Sequence, residues 1–220
     1  MKELTSGSLR RQIREVMPAT FWTAAPLLAV LVLAGLAKVF LGIPFGELTN
    51  DTSATAHLPF YVGCISTLGL LLWTATATAC FLSSASIRPS TADSRLPRFL
   101  LVSGLFSSLL CLDDMLQFHE FVFPKIFHIS EKAYYAGFGA LVLAYLFHFR
   151  RTILRYNCLL LISALALFGA SRVFDLLFFE NIRFGIVLEE GTKLLGIGFW
   201  LAYYWQISLL AVRMNLAGAR

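Results

Sequence analysis

Two consecutive aspartates, Asp113 and Asp114, close an apolar run in the stretch CLDDMLQFHE, with His119 and Glu120 just beyond. Carboxylates beside an imidazole can relay protons or hold a cation. Farther along, SRVFD supplies Arg172 and Asp175, and LEEGTK supplies Glu189, Glu190 and Lys193. A charge in hydrocarbon costs a few kcal/mol unless it pairs or faces water, so such residues inside apolar runs are functional candidates.

Their types suggest roles. Asp113, Asp114, Glu189 and Glu190 are candidates for a general base or for binding a cation, because a desolvated carboxyl can be tuned towards neutral pH. Lys193 and Arg172 would offset charge or stabilise an oxyanion, and Asp175 can pair with Arg172 one helical turn away. The candidate metal set is Asp114, His119, Glu120 and Glu190, oxygen-rich and suited to a harder divalent ion. Lys193 and Arg172 cannot neutralise all these acids, so at least one carboxyl is expected to hold a proton or a metal. The outermost members, Glu120, Glu131, Lys132 and Glu180, also fit plain interfacial residues, and Ser130 before Glu131 reads as a helix N-cap.

The elements that must position these groups are membrane helices. Hydrophobic residues make up 58% of the 220 and charged residues 14%, with a mean hydropathy of +0.73. That excess points to an all-α polytopic transmembrane bundle. Six stretches are long enough to cross about 30 Å of hydrocarbon: 18–43, 58–84, 98–120, 132–149, 156–179 and 184–212. Residues 1–17 form a basic tail, 18–212 one transmembrane domain and 213–220 a second tail. The N-terminal run is longer than a signal peptide core and holds Lys38, which favours an uncleaved anchor.

Lys and Arg orient the bundle. Arg10, Arg11 and Arg14, then Arg88, Arg95 and Arg98, then Arg150, Arg151 and Arg155 fall on one side with Arg213. By the positive-inside rule both termini are cytoplasmic, as in a bacterial inner membrane. The net charge of +5 is thus a topology signal; with no basic stripe interleaved with aromatics, nucleic acid is not an expected partner, and membrane lipids are. Four helices bring their charges to the outer half of the membrane, where one sheltered chamber is expected. On the third helix Asp113, Gln117 and Glu120 would share an arc of roughly 60°.

Other features are expected to serve packing. Gly69, Gly137, Gly139, Gly191, Gly196 and Gly198 would allow close helix approach. Tyr134 and Tyr135 fit an interfacial belt. FHEFVFPKIF would lie along the surface as a lid or re-entrant loop, with Pro124 breaking any helix that continues past it.

LLCLDD, LFGASRVFDLLF and EEGTKLLGIG are similar, in order and placement, to motifs of the alkaline ceramidase-like superfamily, which includes the adiponectin-receptor-like proteins. That family has seven helices and a zinc site, and Glu189 and Lys193 stand where it has paired last-helix histidines. The resemblance implies hydrolysis of a lipid-like amide or ester. VLEEGTKLLGIGFW also resembles the last helix of microbial rhodopsins, which implies a Schiff-base role for Lys193 with Glu189 or Asp113 as counter-ion. The expected function is a membrane-embedded hydrolase; the alternative is a non-enzymatic sensor, transporter or complex subunit using the same charges.

Overall fold

The structure is a computed structural model that describes residues 6–49, 52–87, 95–177 and 182–217. The expectation for Glu180 lies outside these residues. Every regular element among them is helical, as a chain in lipid requires, because helices satisfy their own backbone polar groups.

Two compact units divide at residue 62. The first holds α1 (Ser6–Leu41), α2 (Phe45–Thr49) and α3 (Thr52–Thr55). Gly42 ends α1 in the left-handed region, at φ 70°, where a side chain would be strained. The apolar part of α1, Leu27–Leu41, is shorter than a membrane span.

The second unit holds α4 (Cys64–Ser86), α5 (Arg95–Leu116), a π-helical segment (Phe118–Ile126), α6 (Glu131–Arg155), α7 (Leu159–Leu177) and α8 (Ile182–Ala217). Three helical stretches are long and apolar enough to cross a membrane: Cys64–Ser86, Arg95–Leu116 and Gly185–Met214. The protein is therefore membrane-embedded. Some hydroxyls within these runs are satisfied by their own helix. Thr76 donates to the Leu72 carbonyl at 2.9 Å and Ser103 to Phe99 at 2.7 Å, each one turn back.

Packing in lipid depends on close contact, because lipid tails are as apolar as leucine. α4 packs against α5 and α8, and α7 packs against α8. Two glycines set the approach. A Cβ on Gly104 of α5 would lie 2.7 Å from the Phe81 ring of α4, and one on Gly196 of α8 would lie 2.7 Å from the Phe168 ring of α7. Gly69 meets Ile197 of α8 in the same way, at 3.3 Å, whereas Gly137, Gly139, Gly191 and Gly198 face open space and do not serve packing.

α6 keeps a wider distance and reaches the bundle through rings. Tyr145 stacks on Phe106 with centroids 5.2 Å apart, and its hydroxyl lies 2.7 Å from Ser103 and 2.6 Å from Tyr204. Ser103 spends its one proton on the Phe99 carbonyl, so the order of donation is Tyr204 to Tyr145 to Ser103. Trp200, 1% exposed, donates its indole N–H to Ser107 at 3.0 Å. Polar atoms in this core carry its specificity.

One expected boundary fails. The third span does not continue to residue 120: α5 stops at Leu116, and Gln117 turns left-handed at φ 51°. Within the FHEFVFPKIF stretch Pro124 sits inside the π-helical segment, which ends two residues later at Ile126. Ser130 caps α6 as expected, accepting from the Ala133 N–H at 3.3 Å.

Candidate functional site

Consecutive residues on a helix point about 100° apart, so Asp113 and Asp114 address different neighbours from the end of α5. Asp114 faces α4 and α8. Its Oδ1 lies 2.9 Å from Lys193 Nζ, and its Oδ2 accepts the Trp73 indole N–H at 2.9 Å. Asp113, 9% exposed, faces the π-helical segment and α6. Its Oδ1 accepts from the Tyr134 hydroxyl at 2.7 Å, and its Oδ2 lies 3.0 Å from His119 Nδ1.

The chain reversal makes the second pairing. Had α5 continued, His119 would point away from Asp113. The left-handed Gln117 instead starts a wider helix, whose Phe121 and Val122 N–H groups share the Gln117 carbonyl at 2.8 and 3.3 Å. That turn brings the imidazole back beneath Asp113. An ionised carboxylate only accepts, so Nδ1 carries a proton and Nε2 is left facing Glu120 Oε1 at 3.4 Å. His119 lies past the end of the span. The hydrogen bond to Asp113 is the main cause raising its pKa above the ordinary 6.5, against the opposing effect of burial.

A third set lies between α6 and α7. Arg172 pairs with Asp175 at 3.2 Å, as the spacing predicts, and reaches Glu131 of α6 at 3.5 Å. Its guanidinium also lies over the Tyr135 ring, 4.1 Å from the centroid. Glu190 lines a small cavity with Asp114, Lys193, Ser66 and Gly69, about 10 Å³ in volume, room for about one water molecule. Glu189 is half-buried on α8.

Several expectations are corrected by this geometry. The charges are not all bonded to one another. They divide into three partner sets: Asp113–His119–Tyr134, Asp114–Lys193–Trp73 and Arg172–Asp175–Glu131. Asp113, Gln117 and Glu120 do not share a helical face, because Glu120 belongs to the π-helical segment. Lys193 takes Asp114 of α5 as its ion-pair partner, not the Glu189 or Asp113 that the rhodopsin resemblance implies. The metal expectation is withdrawn: among the described residues no group of three or more His, Cys, Asp or Glu could hold an ion. The physical reason is competition. Asp114 is spent on an ammonium and an indole, and His119 presents its protonated Nδ1 to Asp113.

Trp73 and Tyr134 were not read from the sequence as site residues. A signal existed for Trp73, since an indole N–H deep in an apolar run must find an acceptor. Tyr134, expected at an interfacial belt, donates its hydroxyl to Asp113, the most buried acid among the described residues.

The family model described as a domain of unknown function (DUF8692) matches residues 24–207, a span that includes every residue of the three sets. No curated protein and no solved structure matches the chain.

Proposed function

The chain belongs to the DUF8692 family, and on the geometry of its charged layer we propose a membrane-embedded hydrolase acting on a lipid-like amide or ester by acid–base chemistry. The carrying observation is the Asp113–His119 pair, with Nδ1 held at 3.0 Å by a carboxylate that Tyr134 also fixes. An imidazole so oriented keeps Nε2, which faces the Glu120 carboxylate at 3.4 Å, as its basic nitrogen, with Asp113 stabilising the imidazolium that forms. Lys193 and Arg172, both at the same layer, supply the positive charge that a developing oxyanion requires. Asp114, Asp175, Glu189 and Glu190 hold and offset those cations. No metal is needed for these steps. The likeness of LLCLDD, LFGASRVFDLLF and EEGTKLLGIG to the ceramidase-like motifs supports the substrate class.

In the full reading six helices cross a bacterial inner membrane, with both termini cytoplasmic and the charged layer at the outer face. Beyond the three candidate spans, the support for this count is that α1, α6 and α7 overlap the other expected stretches in sequence. An observation favours a second reading. The cations Lys193 and Arg172 already have carboxylate partners, as in a sensor or complex subunit whose charges hold a conformation rather than a transition state.

The test is turnover of fluorogenic long-chain amides and esters by protein purified in detergent. Hydrolysis that falls by about 10²–10⁴ in His119→Gln, and persists in chelator, supports the enzyme. Absence of turnover, or turnover indifferent to His119→Gln, refutes it in favour of the second reading.

A further inference from the structure

At the opposite end of α8 from the charged layer, a cavity of about 340 Å³ opens between the α6–α7 turn and the last turns of α8. Twenty residues separate Lys193 from Arg213, about 30 Å along a helix, which is the hydrocarbon thickness. The cavity therefore lies at the other membrane interface.

Its lining is mixed. Asn157, Gln206 and Arg213 supply polar groups, and Leu209 and Leu210 supply apolar wall. Tyr203 also lines it, and the Tyr203 hydroxyl is shielded from solvent with no hydrogen-bond partner among the described residues.

Charge selects the ligand. The sequence has no Asp or Glu between Lys132 and Phe174, and none after Glu190. The ends of α6 and α8 on the cavity's side thus bring Arg150, Arg151, Arg155 and Arg213, while the carboxylates of the same helices, Glu131, Glu189 and Glu190, lie towards their far ends. Arg213 has no ion-pair partner among the described residues. A guanidinium binds phosphate through two parallel N–H bonds, and a basic pocket between membrane helices suits an anionic lipid headgroup.

We propose that this cavity binds the phosphate headgroup of an anionic phospholipid, with Arg213 as its charge partner, the Asn157 and Gln206 amides as donors, and the leucine wall against the first acyl carbons. A free phosphate would use Arg213 but not the leucine wall. The proposal rests on membrane embedding alone and stands whether or not the charged layer is catalytic.

The experiment titrates detergent-purified protein with phosphatidylglycerol, phosphatidylcholine or inorganic phosphate, and follows bound lipid by native mass spectrometry and melting temperature. Saturable phosphatidylglycerol binding is expected, about 10-fold tighter than phosphatidylcholine, and about 10-fold weaker in Arg213→Gln. Gln206→Leu provides a second variant, at an exposed position of the lining. Its lipid-free melting temperature should hold or rise, while its phosphatidylglycerol binding weakens several-fold. Equal binding of the two lipids, or phosphatidylglycerol binding untouched by both variants, overturns the proposal. Inorganic phosphate that competes at its own saturable site overturns the lipid assignment.

Discussion

Asp114→Asn is the sharpest perturbation of the layer, because it removes one charge and little else. Asparagine keeps an oxygen for the Trp73 N–H, but it presents a neutral amide to Lys193, 2.9 Å away in the present pair. At an effective dielectric constant of about 20 the lost attraction is of order 5 kcal/mol. Breaking a fully buried pair costs about 3–5 kcal/mol. The Lys193 side chain is 35% exposed against 14% for Asp114, so water screens the orphaned ammonium and the expected loss is about 2 kcal/mol. For a chain of this length that corresponds to roughly 4–8 °C in melting temperature. The assay is reversible unfolding in mixed micelles of wild type, Asp114→Asn, Lys193→Met and the double variant. Since the cost arises from an unpaired charge, the double variant should recover much of the loss, with a coupling of about 1–3 kcal/mol. Additive losses, or an Asp114→Asn variant within about 0.5 kcal/mol of wild type, would refute the reasoning.

Three further outcomes are expected. Trp73→Phe strips Asp114 of its indole donor and should destabilise by about 1–2 kcal/mol, measured in the same micelles. Gly104→Ala sets a methyl against the Phe81 ring and should cost about 1–3 kcal/mol, whereas Gly198→Ala, which meets nothing within 4 Å, should be neutral or slightly stabilising by chemical denaturation. The pKa of His119 is raised on folding, so its contribution to stability is fully present below about pH 6.5 and is lost as pH climbs through the raised folded value. His119→Gln should flatten that part of a melting-temperature profile against pH.

The helices were legible because twenty-residue apolar runs leave few alternatives in lipid. The polar contacts were legible in kind: Asp113, Asp114, Arg172 and Lys193 do form ion pairs and hydrogen bonds in the layer. The end of α5 was not legible, because the left-handed turn at Gln117 is a single-residue event inside a run whose pattern continues the helix. That one turn takes His119 and Glu120 off the expected face and brings the imidazole onto Asp113. The divided layer was hidden for another reason. Counting cations against acids suggests a surplus of charge, but Trp73 and Tyr134 are neutral donors that lie apolar-side-in on other helices, and only packing shows which acid each one reaches. Gly104, absent from the expected packing glycines, is similarly visible only through Phe81.

The Asp113–His119 pair is the hinge of the functional account, and it can be watched directly in protein carrying ¹⁵N-labelled histidine. Of four histidine signals, the one lost in His119→Gln should titrate above about 6.5 and move back towards that value in Asp113→Asn. A His119 resonance that titrates at or below the ordinary value in wild type, or that ignores Asp113→Asn, would contradict it.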